Sequence, residues 1–206
     1  MKNIRIYMLL IVVMMMGVMM VGCGSNSAAN VSGVSIKQEE VEYDFRNSNW
    51  GDSIDDVKKN EDLKLSAEIK DDNLLVYSDG KIVNLDVTVI YGFNKNDELD
   101  NGFYNVNVTH TNNNLYIDDY EDIKESLSIK YGEPSYDDME WNDDLYKGNP
   151  DDYGFAVSLG DLQYSSGWKV NNTYITLTLK GDNNDIDLSL IYQDGTSGRE
   201  IDLSGL

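Results

Sequence analysis

The chain has 206 residues, of which 37 are Asp or Glu and 16 are Lys or Arg, so its formal net charge is −21. This length suits one domain or two tightly packed halves, and a hydrophobic content of 41% with 14 Tyr argues against a wholly disordered chain. The charge argues against nucleic-acid binding, because phosphate contacts require clustered Lys and Arg.

The N-terminus has the pattern of a secretory signal. Lys2 and Arg5 form a basic start, and an apolar run of 16 residues follows from Ile6 to Val21. A helix that crosses a bilayer permanently needs ~20 apolar residues, so this run is short for a membrane span. Its length and its basic flank are typical of a cleaved signal peptide.

A cysteine follows this run directly, in the segment Met20-Val21-Gly22-Cys23. The segment resembles the bacterial lipobox, in which a small residue precedes a cysteine that is diacylated and becomes the first residue. The resemblance implies that acylated Cys23 holds the protein in membrane lipid, facing the extracytoplasmic side. Cys23 is the only cysteine, which excludes an intramolecular disulfide. The alternative is a spare thiol beside an uncleaved anchor helix.

We therefore expect three segments in the chain. Residues 1–22 are the lipoprotein signal peptide, and residues 23–41 are a flexible tether, since they are small and polar at first and show no hydrophobic period. Residues 42–206 form the folded domain, with halves at 42–112 and 113–206.

The first half shows a helix followed by three strands. Ser53 with Asp56 three residues later is typical of a helix N-cap. The apolar stretch from Asn73 to Ser78 predicts a strand, and Asp79-Gly80 predicts its hairpin turn. Two runs of period two then predict the next strands, at Val83, Leu85, Val87, Val89 and Tyr91, and at Tyr104, Val106 and Val108.

The second half repeats this order. Apolar residues spaced by three and four predict a helix of about twelve residues that ends at Gly132. An irregular acidic segment follows, and a short extra helix is predicted from Asn149-Pro150 to Gly160. Three strands complete the half, with apolar positions at Leu162, Tyr164, Trp168 and Val170, at Ile175, Leu177 and Leu179, and at Leu188, Leu190 and Tyr192. The turn between the first two lies at Asn171-Asn172.

These elements predict an α+β fold, built of two helix-plus-three-stranded antiparallel meander units packed as one domain after the signal peptide. Each meander has one wet face, and helices must cover the other because three strands alone are not stable. Trp50 and Trp168 are expected to close the ends of the core, and Trp141 to be the most exposed tryptophan. Nine strand residues are expected in this core: Val83, Leu85, Val87, Val89, Tyr91, Leu177, Leu179, Leu188 and Leu190.

Short motifs carry a resemblance to a group of surface lipoproteins from low-GC Gram-positive bacteria, and this resemblance implies a cell-envelope lipoprotein. The motifs are Phe45-Arg46-Asn47-Ser48-Asn49-Trp50-Gly51-Asp52-Ser53, Val57-Lys58-Lys59-Asn60-Glu61, Tyr131-Gly132-Glu133-Pro134 and Trp168. The helix-plus-meander order itself resembles the β-lactamase-inhibitor-protein fold, which implies an architecture and not an activity.

No catalytic residue, metal site or cofactor is predicted. His110 is the only histidine, and without a G-x-S-x-G motif it is interpreted as structural or as a surface residue. Zinc sites require several Cys or His. The segment Asp182-Asn183-Asn184-Asp185-Ile186-Asp187 departs from the EF-hand pattern, so acidic turns are interpreted as solvated.

Aromatic residues around the acidic segment form the candidate interaction loop: Tyr136, Trp141, Tyr146 and Tyr153. Such a loop suits a basic partner or a glycan, whereas packing on the sheet is the alternative interpretation. The predicted function is a non-enzymatic lipoprotein that binds an envelope protein or another envelope component. The alternative is an envelope polysaccharide hydrolase, which requires two carboxylates about 5–10 Å apart in a cleft.

Overall fold

The computed structural model describes residues 43–197, which all fall in one compact unit of the chain. The predicted signal peptide, Cys23 and the tether lie outside the described residues. The elements in chain order are α1 (Ile54–Asn60), β1 (Lys64–Ile69), β2 (Leu74–Ile82), β3 (Leu85–Phe93), β4 (Leu99–Val106), α2 (Asn114–Tyr131), β5 (Tyr136–Trp141), a 3-10 turn (Pro150–Asp152), α3 (Tyr153–Leu159), β6 (Leu162–Val170), β7 (Thr173–Asp182) and β8 (Asp185–Asp194).

The eight strands form one antiparallel sheet in the order β1-β2-β3-β4-β8-β7-β6-β5, which confirms the α+β class. The strands at its two ends, β1 and β5, were not predicted. Both are exposed over nearly their whole length. The sequence of β1 does alternate, with Leu65, Ala67 and Ile69 between polar residues, whereas acidic residues occupy three of the six positions of β5. The segment predicted to be irregular therefore begins with a strand, Tyr136–Trp141, and Trp141 lies in that strand rather than in a loop.

The helices and one face of the sheet enclose a single hydrophobic core. Val57 of α1, Ile123 of α2 and Val157 of α3 are at most 1% exposed, and all belong to one cluster with alternate residues of the strands. Leu85 is only half-buried against this cluster, and Val83 is 47% exposed, so its predicted burial is wrong. The other predicted core residues are buried: Val87, Val89, Tyr91, Leu177, Leu179, Leu188 and Leu190.

The hairpin between β2 and β3 lies further along the chain than predicted. Asp79 and Gly80 form a bulge inside β2, where the pairing with β3 shifts and Asp79 has a φ of 66°. The turn itself falls at Val83 and Asn84. An Asp-Gly pair favours a left-handed backbone, which occurs both in tight turns and in bulges. The pair therefore does not distinguish a hairpin turn from a bulge.

The predicted helix ends agree with the structure. Ser53 accepts a hydrogen bond from the Asp56 N–H at the start of α1, and Gly132 follows α2 with a φ of 86°. Helix α2 has 18 residues and begins at Asn114, so it is longer than predicted. Helix α3 ends before Gly160, where the short extra helix was expected to end.

The last three strands and the turn at Asn171 lie where they were predicted. Strand β4 ends earlier, at Val106, so Val108 lies beyond it. Trp168 is 3% exposed, whereas Trp50 and Trp141 are both half-buried against the core. Burial of Trp141 follows from its place at the end of a paired strand.

Polar contacts hold the segments that carry the lipoprotein resemblance. Arg46 Nε and Nη2 donate to the two Glu61 carboxylate oxygens at 2.6 and 3.0 Å, and the Tyr91 hydroxyl donates to Glu61 at 2.5 Å. Burial alone would raise the pKa of Glu61, but these hydrogen bonds outweigh it and hold the pKa below its usual value. Trp168 Nε1 donates to the Gly132 carbonyl at 2.9 Å, which joins two of the motifs.

The sheet face opposite the helices carries a row of apolar side chains where polar residues were expected. Val76 pairs with Ile90, Ile90 with Phe103, and Phe103 with Ile191, across β2, β3, β4 and β8. None of the four belongs to the core cluster. Val76, Ile90 and Phe103 are half-buried on this face, and Ile191 is only 6% exposed.

Candidate interaction site

Two pairs of aromatic side chains lie where β5 ends and α3 begins. Trp141 and Tyr153 form one edge-to-face pair, with ring centroids 5.1 Å apart. Tyr146 and Phe155 form a second pair, with centroids 5.4 Å apart. We call these four residues the aromatic patch. Such ring pairs contribute ~0.5–1.5 kcal/mol beyond the area they bury, so they fix the geometry of the surface.

The segment between β5 and α3 is held by its own polar groups. Tyr153 donates its hydroxyl hydrogen to the Lys147 carbonyl at 3.1 Å, and Asn149 Nδ2 donates to Asp152 at 2.7 Å. Asn114, at the start of α2, accepts from the Gly154 N–H at 2.6 Å and donates to the Asp151 carbonyl at 2.8 Å. The aromatic patch is therefore built on a segment fastened to a long helix.

Apolar surface and negative charge lie side by side at this site. Leu145 is 74% exposed and Phe155 is 43% exposed, although large apolar side chains are usually buried. The exposed carboxylates of Asp143, Asp144 and Asp151 belong to the same segment. The Lys147 ammonium group lies over the Trp141 ring, with Nζ 6.0 Å from the ring centroid.

Of the four predicted loop residues, Trp141 pairs with Tyr153, and Tyr146 pairs instead with Phe155. Trp141, Tyr146 and Tyr153 are all half-buried and pack against the core, as the alternative interpretation expected. Tyr136 lies at the other end of β5, about 17 Å away at ~3.3–3.4 Å per residue, and its ring covers Gly167. Phe155 was missed by the sequence reasoning. The sequence signal for Phe155 is its place in the apolar run at the start of α3. The residues next to it, Gly154 and Ala156, are buried, and Phe155 faces outward between them.

A cleft of about 330 Å³ lies between α2 and the start of β5. Lys124 Nζ binds Glu121 at 2.8 Å and Asp137 at 3.1 Å across it. Asp137 also accepts from the Ser166 hydroxyl at 2.6 Å, and Ser166 is bonded to the buried Tyr120 hydroxyl. Burial would raise the pKa of Asp137, but the hydrogen bonds from Ser166 and Lys124 outweigh it and lower the pKa. These contacts join α2 to β5 and β6.

The histidine lies in a structural contact. His110 Nε2 is 2.6 Å from Asp119 Oδ2 on α2, and its ring packs edge-to-face on Tyr116 with centroids 4.7 Å apart. The Tyr116 hydroxyl donates to the Val108 carbonyl at 3.3 Å. This cluster fastens the connection between β4 and α2.

Within residues 43–197, no group of three or more His, Cys, Asp or Glu side chains could hold a metal ion. No helix in the same range is long and apolar enough to span a membrane. The described residues define an α+β protein with one antiparallel sheet and a partly exposed aromatic patch. No protein-family model, curated protein or solved structure matches the chain.

Proposed function

We propose that this protein is a membrane-anchored extracytoplasmic lipoprotein, acylated at Cys23, whose folded domain binds a protein or another component of the cell envelope without catalysis. The aromatic patch supports the binding function best. The exposed side chains of Phe155 and of neighbouring Leu145 lie beside half-buried Trp and Tyr rings, and the same segment carries exposed carboxylates. Aromatic residues of this kind supply much of the binding energy at protein interfaces.

Hydrolysis of an envelope polysaccharide is supported less well. Lys124 lies between Glu121 and Asp137 and binds both, so each carboxylate already has a cationic partner. Glycoside hydrolysis requires one carboxyl group with a raised pKa to act as the acid, whereas the pKa of Asp137 is lowered. The residues that line this cleft also include no aromatic side chain for a sugar to stack on.

Site-specific crosslinking in the native envelope tests the binding function. A photo-crosslinking residue is placed at Phe155, and a matched one is placed at Ile129, which is 80% exposed on α2 outside the patch. We expect a defined adduct from position 155 and none from position 129. Adducts that are equal at the two positions, or absent from both, would contradict the proposed surface.

The anchor is tested separately by Cys23→Ala. We expect this variant to remain uncleaved or to be released without lipid, and detergent partitioning with intact mass reports the change. Recovery of the variant in the detergent phase with a normal mature mass would contradict lipidation.

We also propose that the folded domain resembles the β-lactamase-inhibitor-protein fold. Its support is the strand order, in which β1-β2-β3-β4 is followed by β8-β7-β6-β5. Each predicted meander then has a fourth strand, β1 or β5, in addition to the three expected, and each has a helix before it in the chain.

A further inference from the structure

Strand β5 is an end strand of the sheet and is paired only with β6 among the described strands. Its register with β6 is continuous over all six residues, from Tyr136 opposite Gly167 to Trp141 opposite Leu162. The other end strand, β1, has a register shift between Leu65 and Ala67. A regular strand offers an even row of backbone groups to a further strand, whereas a bulge disturbs that row.

Hydrogen bonds at both ends of β5 hold it to β6, and the Ser135 N–H, just before the strand, donates to the Gly167 carbonyl at 2.6 Å. The Asn142 N–H donates to the Asp161 carbonyl at 2.7 Å, just beyond the strand. In an antiparallel ladder the residues point alternately toward and away from the neighbouring strand. Every second residue of β5 therefore turns its amide and carbonyl groups to the open edge.

The side chains of β5 make one face of this edge negatively charged and place apolar residues on the other face. Asp138 and Glu140 share the face that lies opposite Ser165 and Gln163, and neither forms an ion pair within the described part of the chain. Asp137, Met139 and Trp141 lie on the other face, where the Asp137 carboxylate is bound by Lys124 and Ser166 and Met139 is 42% exposed. A strand added here would meet two carboxylates on one face and apolar side chains on the other.

We propose that β5 binds an extended, cationic peptide segment of a partner protein, which adds to the sheet as a ninth strand. Its Lys or Arg residues stand two apart opposite Asp138 and Glu140, and its intervening apolar residues contact Met139 and Trp141. Strand addition to a free edge combines main-chain hydrogen bonds with side-chain specificity. The inference rests on the proposed binding function and names the ligand class of its site.

The probe is a capped peptide of about eight residues in which Lys and Val alternate, titrated into the full chain by calorimetry. We expect Asp138→Asn with Glu140→Gln to weaken binding between about 2- and 30-fold, from two lost cross-strand charge pairs. The matched control is Asp71→Asn with Asp72→Asn, which removes the same charge from an exposed turn and should leave the affinity unchanged. An equal loss in both double variants would overturn the proposal.

Backbone pairing is tested independently of charge. The same peptide with N-methylated amides keeps every charge but loses its donors, and we expect it to bind at least tenfold more weakly. Equal binding of the N-methylated peptide would overturn strand addition. Equal binding of a peptide in which Glu replaces Lys would overturn the cationic ligand.

The two proposals fail in distinguishable ways. Adducts specific to position 155 in the envelope, with no binding of the Lys-Val peptide, would overturn strand addition and leave the binding function supported. Adducts to an envelope glycan alone would likewise overturn the peptide ligand. Peptide binding with the expected variant pattern, but without adducts at position 155, would support strand addition and count against the aromatic patch as the envelope contact.

Discussion

Glu61 shows how one buried charge orders several parts of the chain. Its side chain is fully shielded, and it accepts hydrogen bonds from Arg46, from the Tyr91 hydroxyl and from the Leu63 N–H. These donors come from the segment before α1, from β3 and from the segment before β1. Replacing one partner of a buried pair leaves the other charge uncompensated, which is costly.

We expect Glu61→Gln to lower the free energy of unfolding by about 2–4 kcal/mol, since Arg46 loses its counter-charge in a shielded site. Denaturant unfolding measures the change. The matched control is Glu68→Gln, which breaks the ion pair between Lys58 and the half-exposed Glu68 and should cost less than about 1 kcal/mol. Equal losses would contradict a special role for the buried pair.

The pH dependence of the same variant gives a second prediction. Because the pKa of Glu61 is lower in the folded state than its usual 4.5, its ionised form stabilises the fold above that pH. We expect the stability difference between the natural chain and Glu61→Gln to be full near neutral pH and to shrink as the pH falls below 4.5. A difference that stays constant down to pH ~3 would contradict this linkage.

Val83 is the other informative single residue. It occupies a hairpin turn with a φ of 52°, a conformation that is strained for a β-branched side chain. We expect Val83→Asn to raise the free energy of unfolding by about 0.5–1.5 kcal/mol. The reciprocal variant is Asn171→Val, at a turn with the same φ of 52°, and it should lower stability by a similar amount. Changes of the same sign in the two variants would contradict the strain argument.

At the level of elements, the contact between α2 and α3 depends on a glycine. A Cβ atom at Gly154 would lie 2.3 Å from the backbone of Asn113 and Asn114, so no side chain fits there. Within a helix, Gly→Ala normally stabilises by about 1 kcal/mol. Here the sign should reverse, because backbone atoms cannot move aside as a flexible side chain could.

We therefore expect Gly154→Ala to lower the free energy of unfolding by at least ~2 kcal/mol and to displace the aromatic patch, seen as a changed Trp141 environment in near-UV circular dichroism. Gly148→Ala is the control, because nothing lies within 4 Å of its added Cβ atom. A Gly154→Ala variant that is as stable as the Gly148→Ala variant would show that the two helices are not in tight contact.

Across the whole molecule, the pairing of β4 with β8 joins the first four strands to the last four. Asn101 to Asn105 pair with Gln193 to Ser189, and core residues from both sides of this junction form one cluster. The residues on the two sides should therefore unfold together rather than in sequence.

Leu177→Ala tests this cooperativity. The side chain is fully buried in β7, and its truncation should cost about 2–5 kcal/mol. We expect hydrogen exchange to show an equal loss of protection in β3 and in β7. Leu65→Ala, at the exposed edge of β1, is the control and should leave both unchanged. Protection lost in β7 alone would contradict a single cooperative unit.

The sequence by itself determined the elements whose signals are local. The cap at Ser53, the helix end at Gly132 and the alternation of β6, β7 and β8 depend on neighbours within a few residues, so the sequence predicts them. The edge strands β1 and β5 have weaker signals, since the alternation of β1 covers only six residues and acidic residues fill half of β5. Their pairing is visible only once the sheet exists.

Tertiary structure alone decided which distant residues meet. Phe155 joins Tyr146, and Val76, Ile90, Phe103 and Ile191 form one row, because strand order and helix docking bring them together. Arg46 likewise meets Glu61 only through the fold. Local periodicity records which face a residue occupies, whereas long-range pairing determines its neighbours, and the candidate interaction site consists of such neighbours.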